Sequence, residues 1–196
     1  QTMITDWRKQ WGQGNFPFIY VQLANIGKTV EDVPAKGGQE AVKREAQLQN
    51  LSVPNTAMVC AIDNADPLNM NNVHCKDKQT IGHRLALAAQ AIAYKINIPY
   101  SGPQLEKIKT EGNAIRLYFK HTDGGLITRN GKLEGFAIAG DDKKFVWANA
   151  KIEGDKVVVW SDEVKDPKYV RYAWADNPVN PNLYNKEDLP ASPFEN

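Results

Sequence analysis

His74 is the residue of this chain best suited to move a proton. It lies in a polar loop, Asp63 to Lys76, between a short apolar run, Ala57 to Ile62, and a helical pattern in which Ile81, Leu85, Ala88 and Ile92 recur. The Val, Ile and Cys content of the run suits a strand buried on both faces. Loops that leave the carboxyl ends of parallel strands are where open α/β sheets keep their ligands, because the strand fixes the backbone and the loop is free to vary. An imidazole in such a loop is placed to act as a general base, and a solvated loop histidine is the competing reading from position alone.

A base needs something to activate. The serines, Ser52, Ser101, Ser161 and Ser192, include none in a Gly-flanked turn directly after a strand of the α/β half, so the chain offers a candidate base and no nucleophile beside it. Cys75 follows His74, but neighbouring side chains in a loop diverge. His74, His83 and His121 show neither HxH nor HExxH spacing, so no metal and no cofactor are expected. His83 reads as a helix-surface or structural residue. Asp63 and Asp66 share the loop, and a three-residue spacing leaves open whether they cooperate in acid-base work. GDDKKF and DGGLITRNGK are hairpin turns, not strand-to-helix phosphate cradles.

The elements that must position these groups follow from pattern. Thr2 to Trp11 spaces Met3, Trp7 and Trp11 four apart, predicting a helix that buries two indoles. Phe16 to Ala24 is almost continuously apolar and predicts a central parallel strand. Asn25 to Gly38 is a loop, and Gln39 to Asn50 is a helix with Val42, Ala46 and Gln49 inward. Asp77 is a plausible N-cap for a helix over Asp77 to Tyr94. Gly82 inside that helix predicts a close approach by another backbone. After NIPYSGP, residues 97–103, the period changes to that of strands. Ala114 to Lys120, Leu133 to Ala139, Phe145 to Ile152, Lys156 to Trp160 and Tyr169 to Ala175 are separated by turn signals and predict an antiparallel sandwich. Of the aromatics here, Trp147, Trp160 and Trp174 suit core packing or stacking on a sugar ring. The Pro-rich tail from Asp176, with Leu183, Tyr184 and Phe194, is expected to dock back on the protein.

A net charge of +1 with no basic stripe argues against nucleic acid. No apolar run approaches bilayer length, and no membrane partner is expected. Two cysteines, Cys60 and Cys75, form neither a metal motif nor a disulfide framework. A helical pattern that begins almost at Gln1 predicts that an N-terminal portion lies elsewhere.

FPFIYVQLANIG, REAQ (44–47), PNTAMVCAID and NNVHCKDKQTIGHRLALAA resemble the closing part of the catalytic domain of sialate O-acetylesterases, within the SGNH esterases. GFAIAGDDKKFVWANAKIEGDKVVVWSDEV, VRYAWADNP and NLYNKEDLPASPF resemble the β region that ends that family. The resemblance implies a serine esterase that removes O-acetyl groups from carbohydrates, with His74 as the catalytic base. It implies an O-acetylated carbohydrate as substrate, and a serine and oxyanion donors on an N-terminal portion upstream of Gln1. Two positions depart from the pattern. Cys75 stands where the family has proline, and Asn71 stands three residues before the histidine, where many SGNH enzymes have an orienting aspartate. A backbone carbonyl, Asp63 or Asp66 are the other candidates for orienting the ring. Residues 1–97 are therefore expected to be the C-terminal portion of an SGNH-type parallel α/β/α domain and 98–196 a β-sandwich domain. The fragment alone is expected to be inactive, and export is implied by the family. Acetyl xylan esterase activity and a non-catalytic carbohydrate-binding or interaction module are the alternatives.

Overall fold

A computed structural model describes residues 1–29, 34, 36–66 and 68–196. The predicted loop at 25–38 and the His74 loop each contain residues outside this set. The chain is mixed α/β. Helix α1 (Thr2–Trp11) is followed by strand β1 (Phe18–Val21), helix α2 (Gln39–Gln49), a single 3-10 turn (Asn50–Ser52), strand β2 (Thr56–Val59) and helix α3 (Lys78–Ile92). Strands β1 and β2 are parallel, Phe18 opposite Thr56 and Val21 opposite Val59, so they form the predicted βαβ unit. Strand β2 is buried along its whole length, as its unbroken apolar run requires. Ala57, Val59 and Ala61 pack with Ile81 and Ala88 of α3.

The remaining strands are β3 (Gln104–Glu111), β4 (Ala114–Lys120), β5 (Leu126–Thr128), β6 (Phe136–Ala139), β7 (Val146–Trp147), β8 (Asn149–Glu153), β9 (Lys156–Trp160), β10 (Tyr169–Tyr172), β11 (Leu183–Asn185) and β12 (Phe194–Glu195). One antiparallel sheet runs β3-β4-β9-β8, a second β12-β10-β6-β7, and β5 pairs β11. The inner faces of the two larger sheets meet in one apolar core. Ile115, Leu117, Val157 and Val159 come from the first sheet and Phe136, Ile138, Val170, Tyr172 and Phe194 from the second. Burying each such side chain stabilises by roughly 1.5–3 kcal/mol against leaving it wet. The tail docks as expected, with Leu183, Tyr184, Leu189 and Phe194 buried.

Three expectations are corrected. On α1, Ile4 and Arg8 are the buried residues, while Trp7 and Trp11 are 43% and 59% exposed and Met3 is also exposed. The guanidinium of Arg8 donates to the carbonyls of Phe16 and Asn55, which turns the indoles outward. On α2, Ala41 and Arg44 face inward, and Val42, Ala46 and Gln49 are exposed, because Arg44 has carbonyls to satisfy. Gly82 has nothing within 4 Å of where a Cβ would lie, so no close approach accounts for it. Strand β3 was hidden from pattern reading by its charge. QLEKIKTE covers one face of the sandwich and shows the other to water.

The C-terminal tail also organises the first helices. Arg44 is fully buried and donates to the carbonyls of Leu23, Ala24, Ala175 and Asp176 at 2.6–2.9 Å. The carboxylate of Asp176 accepts the amide of Glu40 at 2.8 Å, capping α2 from a distant part of the chain. Gly38 makes this approach feasible, since a Cβ there would fall 2.1 Å from Asp176 Oδ1.

Candidate functional site

The site is the loop between β2 and α3. At its start, Asp63 receives two hydrogen bonds of 2.7 Å from Arg84 of α3 and one of 3.0 Å from the Tyr184 hydroxyl. Arg84 also donates to the Cys60 carbonyl at 2.9 Å, so one guanidinium closes the end of β2 and holds the first loop residue. The Arg129 guanidinium stacks 4.2 Å over the Tyr184 ring, extending the chain of contacts into the β region. Burial pushes the Asp63 carboxyl upward, but the bonds and charge of Arg84 and the Tyr184 hydroxyl outweigh it and hold it below the usual carboxylate range.

That depression makes a prediction about acid. A carboxylate with a lowered native pKa stabilises the fold fully above its unfolded value of about 3.9, and the contribution is lost as pH falls from there through the native value. Asp63→Asn is expected to be less stable than the parent by roughly 1.5–3 kcal/mol near neutrality. The two should begin to converge as pH falls below about 4 and meet only once it has passed through the lowered native value, where both side chains are neutral. Urea unfolding across pH checks this, and a gap that is the same at both ends of the range contradicts it.

The middle of the loop is built on Asp66. Its buried carboxylate accepts the Leu68 amide at 3.0 Å, the Asn72 side-chain amide at 3.4 Å and the Lys76 ammonium at 3.1 Å. Burial raises its pKa, yet the Lys76, Leu68 and Asn72 contacts together leave it lowered. Asn72 in turn accepts the backbone N–H of His74 at 3.0 Å. The Asn64 side chain donates to the Asp77 carbonyl at 3.0 Å, tying the two ends of the loop together. Asp77 is the N-cap of α3, accepting the Thr80 amide at 3.0 Å and its hydroxyl at 2.6 Å. The Gly27 amide donates to the Met70 carbonyl, so the loops at the carboxyl ends of both parallel strands touch.

His74 stands on this frame with its side chain exposed. Backbone and neighbours are fixed while the imidazole reaches solvent, as a base serving an external hydroxyl requires. Among the described residues, none of Asp63, Asp66 and Asn71 is bonded to the ring. Asp63 is engaged with Arg84 and Tyr184, Asp66 with the loop, and the Asn71 backbone N–H donates to the Asn69 side-chain oxygen. Among the described residues, the side chain bonded to His74 is that of Asn72, through the His74 backbone N–H. The signal for it was an Asx turn, in which an Asn side chain accepts the backbone N–H two residues on.

The serines are occupied structurally. Ser52 donates to the Gln49 carbonyl and Ser101 to that of Gly102, while Ser161 and Ser192 are buried in the β region. Among the described residues none is bonded to His74. Cys75 is half-buried and packs toward β2 and α3, with the Lys78 ammonium 3.7 Å from its sulfur. Cys60 is buried, which pushes its thiol up to about 11. His83 lines a neighbouring cavity of about 480 Å³ with Asp63, Arg84, Arg129 and Asp188, and Arg129 and Asp188 are ion-paired across it. His121 is half-buried against Tyr100, in ring contact at 5.3 Å, and burial lowers its pKa.

No family profile matches the chain. A sialate O-acetylesterase of Pongo abelii is 27% identical over 98% of this chain. That of Homo sapiens is 33% identical over 55% of it. Among solved structures, a carbohydrate acetylesterase from Xanthomonas citri superposes with a TM-score of 0.88 at 38% identity over 99% of the chain. The chain spans 40% of the Pongo protein, 23% of the human one and 44% of the Xanthomonas chain. On sequence and fold together, the chain is sialate O-acetylesterase-like along nearly its whole length.

Proposed function

We propose that this chain is part of a serine esterase that removes O-acetyl groups from carbohydrates, and that His74 is its general base. The observation that carries the reading is an exposed imidazole at the carboxyl end of a buried parallel strand, on a loop anchored at both ends and through Asp66. In the reaction, the imidazole takes the proton of a serine hydroxyl as the serine oxygen bonds to the acetyl carbonyl carbon. The imidazolium returns that proton to the sugar oxygen as the ester bond breaks. Water, activated by the same base, then releases acetate and restores the serine. The names of the relatives favour acetylated sialic acid as the substrate.

The serine and the oxyanion donors are proposed to come from an N-terminal portion. Strand β1 supports this, because among the described residues it pairs only with β2. Phe18 of β1 joins a run of aromatic rings, with Trp7 against Trp11 and Phe18 at 5.9 Å and Trp11 against Phe16 at 5.1 Å. A strand edge left for further pairing suits additional strands, and exposed indoles suit a covering layer. Residues 1–97 are accordingly proposed as the C-terminal portion of the catalytic domain and 98–196 as the appended sandwich domain.

The test is complementation with p-nitrophenyl acetate. The isolated 196-residue chain should show no turnover above buffer, and a longer polypeptide carrying the serine segment ahead of Gln1 should turn over. Enzymatic rates from the isolated chain would overturn the proposal, as would an inactive longer polypeptide that is folded.

A further inference from the structure

We infer that the β region carries a second, non-catalytic binding site, for a neutral sugar ring, in the cavity beside Trp147. Beyond residue 98, Trp147 is the one large apolar side chain left exposed among the described residues, at 37%. Trp174, by contrast, is buried. Trp147 sits on β7, a two-residue strand at the edge of its sheet, opposite Ala137. Its neighbour Val146 packs on the sandwich core, so alternation along the strand turns the indole outward.

Beside the ring is a cavity of about 310 Å³ lined by Lys132, Glu134, Gly135, Trp147, Asn149 and Val179, among others. This lies at the small end of the roughly 300–1,000 Å³ range of ligand pockets, which suits one sugar residue or two. Gly135 lines the cavity with no side chain, at φ +82, a backbone conformation that favours glycine.

The polar rim is held in place before any ligand arrives. The Lys132 ammonium donates to Asn149 Oδ1 at 2.8 Å, and the Asn180 amide donates to Glu134 Oε2 at 2.7 Å. These bonds leave the Asn149 amide, the remaining Lys132 protons and the second Glu134 oxygen unused on residues that line the cavity. Donors and acceptors side by side against an aromatic face match a ring whose hydroxyls do both. Lys132 and Glu134 cancel in charge, which favours a neutral ring over an anionic one. The site is separate from His74, and the inference stands whether or not the esterase proposal does.

The test is titration of the 15N-labelled chain with xylobiose, lactose and N-acetylneuraminic acid, up to on the order of 50 mM, above the millimolar range typical of weak single-site binding. A neutral disaccharide should shift the Trp147 indole signal saturably, together with the Asn149 side-chain amide and the Gly135 backbone amide. The other four of the five indoles should stay still. Trp147→Ala should weaken binding about tenfold or more, with Asn149→Ala weakening it less and His74→Ala leaving it unchanged. If Trp147→Ala does not fold, the joint movement of the Trp147, Asn149 and Gly135 signals in the parent decides alone. No saturable shift, a shift centred elsewhere, or a response to N-acetylneuraminic acid only would overturn the inference.

Discussion

Replacing His74 with alanine in the polypeptide that includes the serine segment is expected to lower kcat/KM for an acetylated sugar by roughly 10³–10⁴, with KM little changed. The loss falls on the transition state, because the imidazole handles a proton that moves only as the ester bond is remade. The structure adds a condition that separates a catalytic role from a folding one. The His74 side chain is exposed, and the loop is held by Asp66, Asn72 and the His74 backbone, none of which the substitution removes. Unfolding in urea should therefore match the parent within about 0.5 kcal/mol, as is usual for surface substitutions. His83→Ala is the control, since His83 is exposed on α3 and outside the proposed chemistry, and its activity should stay within a few-fold of the parent. Steady-state hydrolysis of an acetylated sialic acid reads both variants. Equal rates for His74→Ala and the parent would remove His74 from the mechanism.

How far the sequence reached can be followed residue by residue. The apolar run at 57–62 and the cap at Asp77 were legible because each rests on a local rule: continuous apolarity for a doubly buried strand, and an acceptor side chain at a helix start. The His74 loop followed from them. Arg44 was not legible, because nothing local distinguishes a helix-surface arginine from one that binds four carbonyls of two distant segments. The same holds for Tyr184, whose hydroxyl reaches Asp63 from the far end of the chain. The outward turn of Trp7 and Trp11 failed on periodicity for a related reason. A spacing of four identifies a face, and the pull of Arg8 on two carbonyls decided which face went inside.

Arg44 carries the larger structural consequence. Its guanidinium is wholly buried, makes no ion pair among the described residues, and is held charged by four carbonyl dipoles. Burial lowers its pKa, while Cys60, Glu40 and Asp176 push it up in smaller measure, and an arginine stays protonated under such a shift. Leu23 and Ala24 follow directly after β1, and Ala175 and Asp176 begin the tail that caps α2, so one side chain fastens the parallel strands to the β region. Arg44→Met keeps the length and apolar stem but leaves those carbonyls without donors. Each unsatisfied buried acceptor costs about 1–3 kcal/mol, partly offset because no guanidinium need be desolvated. The expected loss is about 3–5 kcal/mol, a large part of the roughly 5–15 kcal/mol that holds a domain folded. Arg44→Lys should lose less but still clearly, since a single ammonium cannot fan across two segments as the planar fork does. Urea unfolding measures the loss, and hydrogen exchange locates it. The amides of Ile26 and Gly37, which bond to the carbonyls of Asp176 and Trp174, should open well before those of β4 and β9. An Arg44→Met protein as stable as the parent, or one that loosens in the sandwich first, would show that this junction is held by apolar packing and not by the guanidinium.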